Sequence, residues 1–139
     1  MLRSVRNTML AAVLLSTLAC GGALQYDVRS SSLVPGADAK VTAEQQEATH
    51  STKLTIAAKN LAPAGRVIPD KEHYLIWERP AGDRPWVRIG RLDTDPDTRE
   101  GVFEGSVPET HFELSITAEA DADASEPSSH VVFNQVVGD

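Results

Sequence analysis

The sequence predicts an all-β protein, an immunoglobulin-like antiparallel β-sandwich of seven or eight strands, and three observations carry that expectation. Runs of alternating apolar and polar residues recur along positions 39–139 at spacings of about 8 to 12 residues, with turn-forming residues between them. The composition is rich in Val, Thr, Ala and Pro, and few apolar residues repeat at helical spacing. Third, the stretch His73 to Leu92, HYLIWERPAGDRPWVRIGRL, holds both tryptophans in two aromatic and branched runs that flank a Pro-Gly-Pro connection. That is the pattern of a β-hairpin.

The chain opens with Arg3 and Arg6 ahead of an apolar run from Met9 to Leu15, followed by small residues up to Cys20. Residues 1–19 therefore read as a secretory signal peptide, whose apolar part is too short to span a membrane stably. Thr17-Leu18-Ala19-Cys20 resembles a bacterial lipobox, although leucine is more usual where Thr17 stands. Cys20 is the only cysteine, which excludes an intramolecular disulfide, and lipidation explains the thiol better than an incidental cysteine after a plain signal-peptidase site. An acylated, palmitate-bearing Cys20 predicts a lipoprotein exported across the cytoplasmic membrane and held in the bacterial cell envelope through that residue. Cleavage there removes two arginines and no acid, so the formal charge moves from −7 to −9. A surface so acidic repels nucleic acid and anionic headgroups.

Residues 20–38 read as a lipid-anchored tether with a possible edge strand, mostly linker, and residues 39–139 as the sandwich domain. Ala39, Val41, Ala43 and Gln45 alternate with polar positions, as does the run Lys53 to Ala57, with Thr49 to Thr52 as the turn between them. Glu44 to Ala48 also favours helix, which is the alternative for residues 41–48. Asn60 to Asp70, with two prolines and a glycine, is a connecting loop. Within the central hairpin, Leu75 and Trp77 share one face, and a register opposing Trp77 to Ile89 adds Val87 to it. These four, with Phe112, Leu114 and Ile116 from the cleanly alternating HFELSITAE, are the expected core. Tyr74, Ile76 and Trp86 fall on the other face, where a second core layer or covered edge explains them better than an exposed carbohydrate or protein contact. Asp93 to Glu100 is an acidic turn and Ala120 to Ser129 an acidic loop. Gly101 to Val107 and Val131 to Val137 complete the strands.

With those residues in place, the stretch from about Leu54 to Val136 resembles the extracytoplasmic C-terminal domain of anti-sigma-K-type factors. The matching features are Asn60-Leu61-Ala62-Pro63, Tyr74-Leu75-Ile76-Trp77 leading to Gly90-Arg91-Leu92, Gly101 before a strand, Phe112 to Glu119, and Pro127 before Val131-Val132. The resemblance implies a β-sandwich outside the cytoplasmic membrane that takes part in sensing or regulated proteolysis rather than catalysis. Such factors also carry a sigma-binding domain and a transmembrane helix, neither of which is seen ahead of this stretch. Sigma inhibition is therefore not implied, and no site residues map across.

No arrangement of residues requires catalysis. Glu104-Gly105-Ser106-Val107-Pro108 fails the nucleophile-elbow pattern at both ends, and His50, His73, His111 and His130 each stand alone, which argues against zinc. Asp93, Asp95, Asp97 and Glu104 stand at positions 1, 3, 5 and 12 of a calcium-loop spacing, but Thr98 takes the glycine position and Glu100 the apolar one. A solvated turn is the better reading. The expectation is a non-enzymatic envelope lipoprotein with a binding or structural domain, without cofactor, catalytic residues or metal, in contact with the membrane and open to contact with another envelope protein. The alternative is an accessory extracytoplasmic sensor domain of an anti-sigma-type system that lacks the sigma-binding half.

Overall fold

A computed structural model describes residues 22–80 and 82–138. The signal peptide and Cys20 lie outside the described residues. The chain forms β1 (Leu24–Arg29), β2 (Asp38–Gln46), β3 (Ser51–Lys59), a single helical turn α1 (Ala64–Val67), β4 (His73–Arg79), β5 (Val87–Arg91), β6 (Asp93–Asp95), β7 (Glu100–Val107), β8 (Phe112–Glu119) and β9 (Val131–Val137). One antiparallel sheet runs β1-β2-β3-β7-β6 and the other β5-β4-β8-β9. With β2, β3, β7 and β6 standing as strands A, B, E and D, and β5, β4, β8 and β9 as C′, C, F and G, this is the immunoglobulin-like order with one added edge strand. The all-β sandwich is as expected, with nine strands rather than seven or eight.

Alternation decides which side chains meet between the sheets. Val41 lies opposite Ile56 and Ala43 opposite Leu54, and all four are buried, so the strand reading of residues 41–48 prevails over the helical one. Phe112, Leu114, Ile116 and Ala118 face them from β8. The sandwich starts earlier than residue 39. β1 pairs with β2 over six positions, and Val28, Val34 and Ala37 are buried. Backbone and side-chain bonds from Ser31 to Val132 and Val131 stitch the following loop to β9. Residues 24–37 are thus part of the domain, and only Gly21, Gly22 and Ala23 separate Cys20 from the first strand.

The central hairpin departs from expectation in its faces. Ile76 pairs with Ile116 and Tyr74 with Ala118, so Tyr74 and Ile76 point into the inter-sheet core. Trp77 pairs with Ser115 and Leu75 with Thr117 on the opposite face, where both are nevertheless fully buried. A shift of one residue exchanges the faces of a strand. On the β5 side Trp77 lies opposite Arg88, not Ile89, because a bulge falls between Ile76 and Trp77. Ile89 is half-buried against the core, while Val87, at the start of an edge strand, is 51% exposed and no core residue.

Phe103 closes the side of the sandwich where β5 lies over β7. A Cβ added to Gly90 would come within 2.5 Å of its ring, and one added to Gly105 within the same 2.5 Å. The two glycines make room for an aromatic plug. Gly90→Ala and Gly105→Ala are each expected to destabilise by on the order of 1 kcal/mol through overpacking. Thermal melts decide it, and unchanged midpoints would show that the ring swings free.

The strands define two poles. Near the start of β1 lie the Glu47–His50 turn, the Pro108–His111 turn and the Pro80–Trp86 connection. At the opposite pole lie α1, the Pro96–Arg99 turn and the root of the 120–130 loop.

Candidate functional site

β8 is buried on both faces, which a sandwich strand achieves only when something covers its outer side. Here the cover is the acidic loop of residues 120–130. Its attachment begins at Trp77, whose indole N–H donates to Thr117 Oγ1 at 2.8 Å. The Thr117 hydroxyl donates to Glu119 Oε2 at 2.5 Å, and the same oxygen accepts the Ser128 backbone N–H at 2.9 Å. From β5, Arg88 Nη1 donates to the carbonyls of Ala122 and Ala124 at 2.8 and 3.0 Å. Asp121 Oδ1 accepts the Asp123 N–H in a local turn. A connection that reads as a solubilising linker is thereby strapped across the sheet, with Leu75 and Trp77 beneath it.

Between the strap and the β4–β5 connection a cleft of about 640 Å³ remains. This lies within the roughly 300–1,000 Å³ range of small-ligand sites. Trp86 forms one wall, half-buried, with the Arg79 guanidinium 4.4 Å from its ring centroid. Arg79 is itself paired with Glu113, its cross-strand neighbour, so the cation that steadies the indole is held in place. Ser125, Glu126 and Ser129 line the opposite wall, and Ser115 and Asn134, paired across β8 and β9, form the floor. A second hollow of about 530 Å³ on the outer face of the other sheet is lined by Asp27, Arg29, Asp38, Lys40 and Lys59 with Ala57 among them. That is a mixed-charge surface, ordinary for a solvated sheet face.

The calcium-loop spacing does not fold into a cation site. Asp93 and Asp95 belong to β6, and Asp95 Oδ1 accepts the backbone N–H groups of Asp97 and Thr98, as a capped turn requires. Glu104 points from β7 toward Lys53 at 3.7 Å. Among the described residues no three His, Cys, Asp or Glu side chains gather as metal ligands.

One ionisable pair is not evident from sequence motifs. Glu78 pairs in register with Leu114, so it faces inward at the end of β4, only 3% exposed. Its Oε2 and the Oε2 of Glu109, on the β7–β8 turn, are both buried and without a hydrogen-bond partner. Burial first, then the neighbouring Glu109 carboxyl, push the Glu78 carboxyl up to about 7. One proton shared between the carboxyls supplies the missing donor. A sequence signal for it exists, since alternation from Tyr74 and Ile76 puts Glu78 on the same face.

No family model and no curated protein matches this chain.

Proposed function

We propose that this protein is a non-enzymatic, lipid-anchored component of the bacterial cell envelope whose immunoglobulin-like domain binds a ligand in the Trp86 cleft. The observation that carries the reading is the construction of that cleft. A polar chain of four residues fixes one wall and an ion-paired arginine fixes the indole of the other. Rigid walls of this kind lower the cost of ordering on binding. The anchor rests on the lipobox-like residues before Cys20 and on the spacing of three residues to β1. Three residues reach at most about 10 Å, so an acyl group at Cys20 would hold the domain close against the lipid.

Expressed with its own leader, the protein is expected to enter the detergent phase on phase partition. Cys20→Ser should leave it in the aqueous phase or unprocessed. Partition of both forms into the aqueous phase, with masses that differ only by the Cys-to-Ser exchange, would remove the anchor from the proposal.

A further inference from the structure

We propose that the Trp86 cleft is a saccharide site, taking an uncharged segment of a polysaccharide; the inference rests on the binding reading above and names its ligand class. The floor supplies the first reason. Ser115 is 4% exposed and borders the cleft, and the neighbouring Trp77 N–H is committed to Thr117 rather than to it. A hydroxyl so nearly buried gains from a ligand that both donates and accepts at close range.

The walls supply the second. Trp86 offers an indole held from behind by Arg79, and the C–H face of a pyranose ring is the flat, weakly apolar surface that stacks on such a ring. The rest of the lining includes Ser125, Ser129 and Glu126 from the strap and Asn134 from the floor, residues that carry hydroxyl, carboxylate and amide groups. Among the described residues no lysine or arginine lines the cleft, and the chain carries a formal charge of −7, so phosphate and carboxylate ligands meet repulsion without a counter-charge. A purely apolar ligand would strand Ser115 and Asn134. Uncharged, hydroxyl-rich and apolar on one face describes a neutral sugar.

The test titrates the purified full chain, in a detergent without a sugar headgroup, with cellotetraose, mannotetraose, galactotetraose and chitotetraose, and separately with decaproline. Calorimetry and tryptophan emission read the binding. At least one tetrasaccharide is expected to bind with Kd at or below about 1 mM. Trp86→Ala should weaken it about tenfold or more, and Ser115→Ala severalfold, with melting temperatures close to the parent. Failure of all four sugars to bind at about ten times that concentration, unchanged affinity in Trp86→Ala, or binding of decaproline in place of the sugars would overturn the assignment. Because the readout does not involve the lipid, such a failure leaves the Cys20 partition result standing.

Discussion

Trp77→Ala is expected to destabilise the protein by about 3–5 kcal/mol, the usual loss for removing a fully buried indole. Trp77 is 0% exposed, and its N–H begins the chain of bonds through Thr117 and Glu119 that secures Ser128. The loss therefore has two parts, a cavity under the strap and a broken tie. Trp77→Phe separates them, since it keeps most of the bulk and removes only the donor, at an expected cost of about 1–2 kcal/mol. Hydrogen exchange in residues 120–130 should rise in both variants. Urea titration gives the energies, with Trp86→Ala as a reference expected to cost less because Trp86 is only half-buried. Equal and small losses for Trp77→Ala and Trp86→Ala would mean that the strap does not depend on Trp77.

The second large effect is on pH dependence. The Glu78 carboxyl is raised from 4.5 to about 7 in the folded protein. The folded state therefore holds a proton that the unfolded state releases at lower pH. Its stabilising contribution is complete below about pH 4.5 and is lost as the pH rises toward 7. Each tenfold difference in proton affinity between the folded and unfolded states is worth about 1.4 kcal/mol, and solvent close to the end of the sandwich reduces the total to on the order of 2 kcal/mol. Denaturant midpoints measured from pH 4.5 to 8 should fall with pH in the parent. In Glu78→Gln, whose amide donates to Glu109 without titrating, that slope should flatten. A parent profile that rises across this range, or a Gln variant with the same slope, would rule out the shared proton.

The fold class is legible in the sequence because it depends on period-two patterning. Phe112, Leu114, Ile116 and Ala118 alternate without interruption, and all lie in the core. The β2–β3 hairpin is legible for the same reason. The faces of β4 are not. Tyr74 to Glu78 is buried at every position, so alternation has no polar side to mark, and the largest aromatic is easily placed on the wrong face. β1 is half-hidden because Gln25, Asp27 and Arg29 give it a polar outer face beside a serine run. β6 is hidden because Asp-Thr-Asp has little strand propensity, its three pairs to β7 depending on the turn that Asp95 caps. The cleft is least legible. One wall is held by Arg88 bonding to Ala122 and Ala124 across more than 30 residues, and by Ser128 reaching back to the buried Glu119 carboxylate, contacts that no local spacing encodes. Trp86 and the acidic loop each stand out in the sequence, but nothing there marks them as neighbours.

The cross-strand row at the cleft floor also fixes a direction. Ser115 and Asn134 are register partners on β8 and β9, and Trp86 stands at the head of the edge strand β5, so the cleft reaches across the sheet from β5 to β9. Trp86 also belongs to the connection at the β1 pole, the end that a three-residue tether from Cys20 would keep against the lipid. With the strands upright on a bilayer, the groove would then lie parallel to the membrane plane and near its surface. A long polymer stretched out in a layer above the membrane would meet the groove side-on. The protein would grip such a layer from below without any polymer chain having to turn toward the lipid.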